Sequence, residues 1–157
     1  MCLTACDSTT RSSENLCGPE PTTLTIGVDD PLVEIPDQRY KIDEGNQGGY
    51  HIDVSVRVVG RIDPDDVNIL MTLMDTDTQL AMHRTDSWLL KIHNAGPHCE
   101  YPRARLVLTN ADDSLMELED VESLVGKTVD LAVDLTSPDG DAKGSFRLTL
   151  SELVRQE

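Results

Sequence analysis

The sequence is poor in aromatic and basic residues and has no long apolar run. Among 157 residues there are one Trp, one Phe and three Tyr, and 13 Lys and Arg stand against 29 Asp and Glu, a formal net charge of −16. Without a run of about 18 apolar residues, no segment is predicted to span a membrane as a helix. Because nucleic acids and anionic lipids are bound through Lys and Arg, so acidic a chain is not predicted to bind nucleic acid.

Motifs of common enzymes and cofactor sites are also missing. The chain contains no G-x-S-x-G, no H-E-x-x-H and no C-x-x-C sequence, the patterns of serine hydrolases, zinc proteases and zinc or redox sites. Gly48 and Gly49 precede an alternating, strand-like segment, whereas a phosphate-binding loop needs a helix after it. The sequence therefore predicts a non-catalytic protein without a cofactor.

Alternation of apolar and polar residues dominates from Thr22 onward. The clearest example is segment 50–58, where one face is apolar and the other carries His, Asp, Ser and Arg, the pattern of a half-buried strand. Turn-forming sequences such as 63–66 and 137–140 recur at regular intervals, and only 120–126 has helical spacing.

These patterns predict a single all-β domain over residues 22–157. Seven to nine short strands with regular turns are typical of an immunoglobulin-like antiparallel β-sandwich, and a closed β-barrel is the alternative. Trp88, the one Trp of the chain, is expected to be the core aromatic residue. A further strand is expected to run through Trp88, Leu90 and Ile92.

The N-terminal residues resemble the start of a bacterial lipoprotein. Segment 3–6, Leu-Thr-Ala-Cys, is similar to a lipobox, and the resemblance implies that Cys6 is lipidated and anchors the chain to a membrane. Residues 7–21 are polar and Pro-containing, which favours a disordered tether, so residues 1–21 form a lipobox remnant and tether. This interpretation expects a basic and apolar segment upstream of Met1. The alternative is the polar N-terminus of a cytosolic protein.

Segment 45–57 carries a second resemblance. Its sequence, beginning Gly-Asn-Gln-Gly-Gly-Tyr-His-Ile, is similar to a G-x-Q-G-G-aromatic-H opening in lipoproteins of predatory and soil bacteria of the myxobacterial type. The resemblance implies a cell-envelope location and a β-sandwich-like body. It implies no enzymatic activity.

The four cysteines are Cys2, Cys6, Cys17 and Cys99. If Cys6 carries lipid and Cys2 is removed with the leader, Cys17 and Cys99 remain, and in an oxidising compartment they are expected to form a disulfide. Two free thiols are the alternative.

The four histidines are candidate metal ligands. His51, His83 and His93 fall on the polar phase of predicted strands, and His98 follows a Gly-Pro turn. Imidazoles from neighbouring strands could converge on a soft metal such as copper. We therefore predict an exported, lipid-anchored, non-catalytic envelope protein with an unknown protein partner, and a periplasmic soft-metal binder is the alternative.

Overall fold

Strands dominate the structure, a computed structural model that describes residues 16–92 and 98–156. Within these residues lie β1 (Thr23–Gly27), β2 (Arg39–Glu44), β3 (Tyr50–Val59), β4 (Val67–Asp75), β5 (Thr78–Trp88), β6 (Lys91–Ile92), β7 (Cys99–Val107), α1 (Leu118–Leu124), β8 (Thr128–Ser137) and β9 (Gly140–Val154). The predicted all-β sandwich of seven to nine strands is confirmed. None of the described residues forms a helix with the length and hydropathy needed to cross a membrane.

The strands form one open sheet, which folds over at β9, its longest strand. Their hydrogen-bonded order is β5-β4-β8-β9-β2-β3-β7-β6, and β1 adds to the second half of β3. The first part of β9 pairs with β8 and its last residues pair in parallel with β2, with Thr149 in both ladders. Since β5 and β6 end the sheet among the described residues, the closed-barrel alternative is wrong.

The two halves of the sheet bury a common core. Met71 of β4 and Leu131 of β8, from one half, belong to the same buried cluster as Ile52 and Leu106 of β3 and β7, from the other. Burial of apolar area on this scale is the main favourable term in folding, at about 25 cal/mol per Å². The sequence alternation therefore identified the inward faces of β4 and β8 correctly.

Strand β3 is buried on both faces, so the prediction of a half-buried strand is wrong. Its polar residue Ser55 is fully buried. The Ser55 hydroxyl donates to the Asp29 carbonyl at 2.6 Å, and Arg57 Nη2 donates to the Leu32 carbonyl at 3.2 Å. The connection between β1 and β2 thus crosses the outer face of β3, and its backbone satisfies the polar groups there.

Trp88 is 50 % exposed, and its prediction as the core aromatic residue is wrong. Tyr40, which is 2 % exposed, lies in the core instead. Tyr40 belongs to β2, a strand that the sequence analysis did not identify. The expected strand through Trp88 and Ile92 is also wrong, because β5 ends at Trp88 and β6 begins at Lys91.

The short helix predicted over 120–126 is present, but it begins and ends two residues earlier. α1 runs from Leu118 to Leu124, with Val121 and Leu124 buried and Glu117 at its N-cap. Gly126 follows with φ of +85°, a left-handed conformation that suits a glycine after a helix.

Candidate functional site

The disulfide Cys17–Cys99 ties the N-terminal segment to the sandwich. The two Cα atoms are 5.1 Å apart and both side chains are buried. The Cys17 amide also donates to the Ile62 carbonyl at 3.1 Å. The predicted pairing is confirmed, and Cys17, five residues before Thr22, is held against the domain.

A groove of about 730 Å³ lies where the Gly45–Gly49 loop joins β2 to β3, and we call it the Gly45 groove. The Gly45 amide donates to the Gly49 carbonyl at 2.9 Å, which closes the loop. Gly48 and Gly49 have φ of +83° and +80°, a region that glycine enters without strain. The remaining walls come from the ends of β2, β3, β7 and β9.

His51 lies in this groove, and it is only 6 % exposed despite its position on the polar phase of β3. Among the described residues no group forms a hydrogen bond with its ring, and the nearest acidic oxygen, Asp53 Oδ1, is 3.8 Å from Nε2. Desolvation lowers the pKa of His51, and Arg105 lowers it further against the opposing effect of Asp53 and Asp43. The ring is therefore neutral at neutral pH and retains an unshared lone pair.

Three carboxylates line the groove together with His51. Asp53 Oδ1 accepts from Arg105 Nε at 3.4 Å. Glu44 Oε2 accepts a hydrogen bond from the backbone amide of Gln156 at 3.2 Å. Asp43 is the register partner of His51 across β2 and β3, and no described cationic group lies within 4.0 Å of it. The groove therefore has an open negative charge beside a neutral histidine.

His83 belongs to a different cluster, at the open seam between β5 and β7. Its Nδ1 faces the Arg105 carbonyl at 3.3 Å, and its Nε2 lies 2.8 Å from the Tyr101 hydroxyl. A carbonyl can only accept, so in the neutral ring Nδ1 donates and Nε2 accepts from Tyr101. Thr85 Oγ1 lies 3.2 Å from His83 Nε2 and 3.2 Å from the Tyr101 hydroxyl. Desolvation lowers the pKa of His83, and the hydrogen bond to the Arg105 carbonyl opposes it.

The predicted metal ligands do not come together in the part of the chain that the structure describes. His51 lines the Gly45 groove, His83 contacts Tyr101, and His98 lies 3.5 Å from a Glu100 oxygen. His93 and the predicted lipidation site Cys6 lie outside the described residues. Residues 16–92 and 98–156 hold no group of three or more His, Cys, Asp or Glu side chains placed to bind a metal ion.

Apolar side chains are exposed on β5 and directly after it, at the end of the hydrogen-bonded strand order. Met82 and Leu89 are at least half exposed, and Trp88 contacts Tyr101 edge-on with ring centroids 6.3 Å apart. The sequence analysis predicted that Trp88 lies in the core. The misleading signal is the alternation itself, which identifies two faces but not whether a second layer covers each one.

The comparisons with known proteins leave the family of this chain open. No family model matches the sequence, and no curated protein matches it. Among solved structures, the chain is similar to the CooA pilin subunit from enterotoxigenic Escherichia coli, with 13 % identity over 83 % of this chain and 98 % of the pilin, at a TM-score of 0.36. At that score the likeness carries no argument about function.

Proposed function

We propose that this protein is an exported, lipid-anchored cell-envelope protein whose β-sandwich binds another protein and catalyses no reaction. The observation that carries the proposal is the buried disulfide between Cys17 and Cys99. Structural disulfides persist in oxidising compartments and are rare in the reducing cytosol. The cytosolic alternative would leave these two adjacent thiols reduced inside the core.

The proposed anchor is a lipid on Cys6, at the lipobox-like segment 3–6. Only eleven Cα–Cα steps separate Cys6 from Cys17, and a fully extended chain of that length reaches at most about 40 Å. Because Cys17 is fixed in the sandwich, lipidation would hold the domain close to the membrane. The net charge of −16 would repel anionic headgroups and favour contacts with other envelope components.

Binding rather than catalysis is supported by the surfaces that the domain presents. β5 lies at the end of the hydrogen-bonded strand order, and Met82 and Trp88 of β5 and Leu89 directly after it are at least half exposed. Exposed edges with apolar side chains are suited to pairing with another polypeptide. A protein partner therefore fits the structure better than a small-molecule substrate.

Detergent-phase partitioning of the native gene product tests the anchor. The wild-type protein is expected in the detergent phase, and Cys6→Ser is expected in the aqueous phase because the acylated sulfur is lost. Cys2→Ser is the matched control, since Cys2 precedes the proposed cleavage site, and it should behave as wild type. Equal partitioning of wild type and Cys6→Ser would overturn the lipid anchor.

A further inference from the structure

We propose that the Gly45 groove binds a lysine or arginine side chain presented by a partner polypeptide. This inference goes beyond the proposed function, and it does not depend on export or on the lipid anchor. It rests on three features of the groove: an open carboxylate, a buried histidine without a hydrogen-bond partner among the described residues, and an apolar wall.

The first feature is the charge of the groove. Asp43, Glu44 and Asp53 contribute three carboxylates, and Arg105 reaches Asp53 at 3.4 Å. Arg155 Nε lies 4.0 Å from Glu44 Oε2, which is the limit of ion-pair distance. Asp43 has no cationic partner within that distance among the described residues, so a ligand cation would complete its pairing without displacing an existing one.

The second feature is His51. Its side chain is almost wholly buried and lines the groove. No described residue forms a hydrogen bond with the ring, so a ligand donor would add one to its unprotonated nitrogen. Asp43 and His51 are cross-strand neighbours, so one multivalent donor, an ammonium or a guanidinium, can reach both.

The third feature is apolar. Val107 and Val154, at the ends of β7 and β9, are 37 % and 38 % exposed and line the groove. Lys and Arg side chains pack their methylene stems along apolar surface while the charged head stays at a polar group. A basic side chain therefore matches both the valines and the carboxylates.

A bound metal ion fits the groove less well. Metal sites need several oxygen, nitrogen or sulfur ligands in one coordination sphere, and the described residues contain no such group of His, Cys, Asp and Glu. A cationic segment of a partner protein is instead complementary to a domain of net charge −16.

Titration of the isotopically labelled full chain by NMR tests the proposal. The probe is the acetylated and amidated tripeptide glycine-lysine-glycine, compared with its arginine, norleucine and glutamate counterparts. Saturable shifts are expected at the Gly45, Gly48 and Gly49 amides and at the His51 ring with the two basic peptides only. Asp43→Asn should weaken binding by about fivefold, the upper range for one partly exposed ion pair.

Asp139→Asn is the matched control, because Asp139 is an exposed turn residue away from the groove and the substitution changes net charge equally. Unchanged binding by Asp139→Asn supports the proposal. Equal weakening by both variants, binding of the norleucine peptide, equal binding of methylammonium, or the absence of saturable shifts would overturn it. If Asp43→Asn loses amide dispersion, Glu44→Gln replaces it, and a smaller but measurable weakening is expected because Glu44 already lies near Arg155.

Discussion

Arg57 and Glu100 form a buried ion pair across β3 and β7. Arg57 Nη2 and Nε lie 2.8 and 2.9 Å from Glu100 Oε1, and the Glu100 side chain is only 1 % exposed. The other carboxylate oxygen accepts from the Leu32 amide at 2.9 Å. Because Leu32 belongs to the connection that covers β3, the pair fixes that connection to the sheet.

Removal of Arg57 alone is expected to destabilise the fold strongly. Arg57→Met leaves the Glu100 carboxylate buried with less compensation, at a cost of about 3 kcal/mol. The double variant Arg57→Met/Glu100→Gln removes the charge as well, so it should lose less. Urea unfolding measures both, and Arg105→Met, which breaks a more exposed pair with Asp53, is the control and should lose less than about 1 kcal/mol. A double variant that is as unstable as the single one would contradict this reasoning.

The disulfide should contribute substantially to stability. It closes a loop with a sequence separation of 82, and the chain-entropy model gives about 4–5 kcal/mol for such a loop. We expect Cys17→Ser/Cys99→Ser and the reduced wild type to unfold at similar, lower urea concentrations than the oxidised protein. Alkylation under denaturing, non-reducing conditions should find both thiols blocked in the oxidised protein. Two free thiols in protein from the cell envelope from which Cys2 and Cys6 have been removed would disprove the pairing.

Removing the hydroxyl of Tyr40 and that of Tyr101 should change the stability of the protein in opposite directions. The buried Tyr40 hydroxyl has no hydrogen-bond partner among the described residues, and burial raises the pKa of Tyr40. Tyr40→Phe should therefore stabilise the protein by about 1 kcal/mol, the scale of an unsatisfied buried hydroxyl. Tyr101→Phe removes the 2.8 Å contact with His83 and should destabilise it by about 1 kcal/mol. Melting temperatures of the two variants provide the test, and a loss of stability in Tyr40→Phe would show that its hydroxyl is satisfied.

Acidification should weaken the fold through His51 and His83. Burial lowers both pKa values below the ordinary value of 6.5, so between the folded and unfolded pKa values the unfolded chain binds more protons. The stability that they contribute is complete above about pH 7 and is lost as the pH falls, by at most about 1.4 kcal/mol per pH unit for each histidine.

The readout is the free energy of unfolding at pH 7.5 and 5.5 for wild type, His51→Gln and His83→Gln. Each variant should lose less stability on acidification than wild type, because carboxylate titration is common to all three. Imidazole NMR titration should place both pKa values below that of an unfolded histidine. A value above it for either residue would contradict the effect of burial.

The sequence by itself determined much of the local structure of this protein and the inward faces of β4 and β8. Alternation in 50–58 and 129–135 predicts strands because side chains on a strand point to opposite sides. Glycine and aspartate turns predicted where the strands end, and helical spacing predicted α1. The pairing of Cys17 with Cys99 followed from the oxidising compartment that the lipobox resemblance implies.

Only the tertiary structure decided which polar faces are exposed and which distant residues meet. His51 and Ser55 lie on the polar phase of β3, yet they are buried because the loop before β3 and the connection before β2 pack over them. Trp88 lies at the end of an alternating strand, yet it is half exposed, and β5 is the terminal strand of the hydrogen-bonded order. The position of Asp43 beside His51 likewise depends on strand register, which arises from long-range pairing that local patterns do not encode.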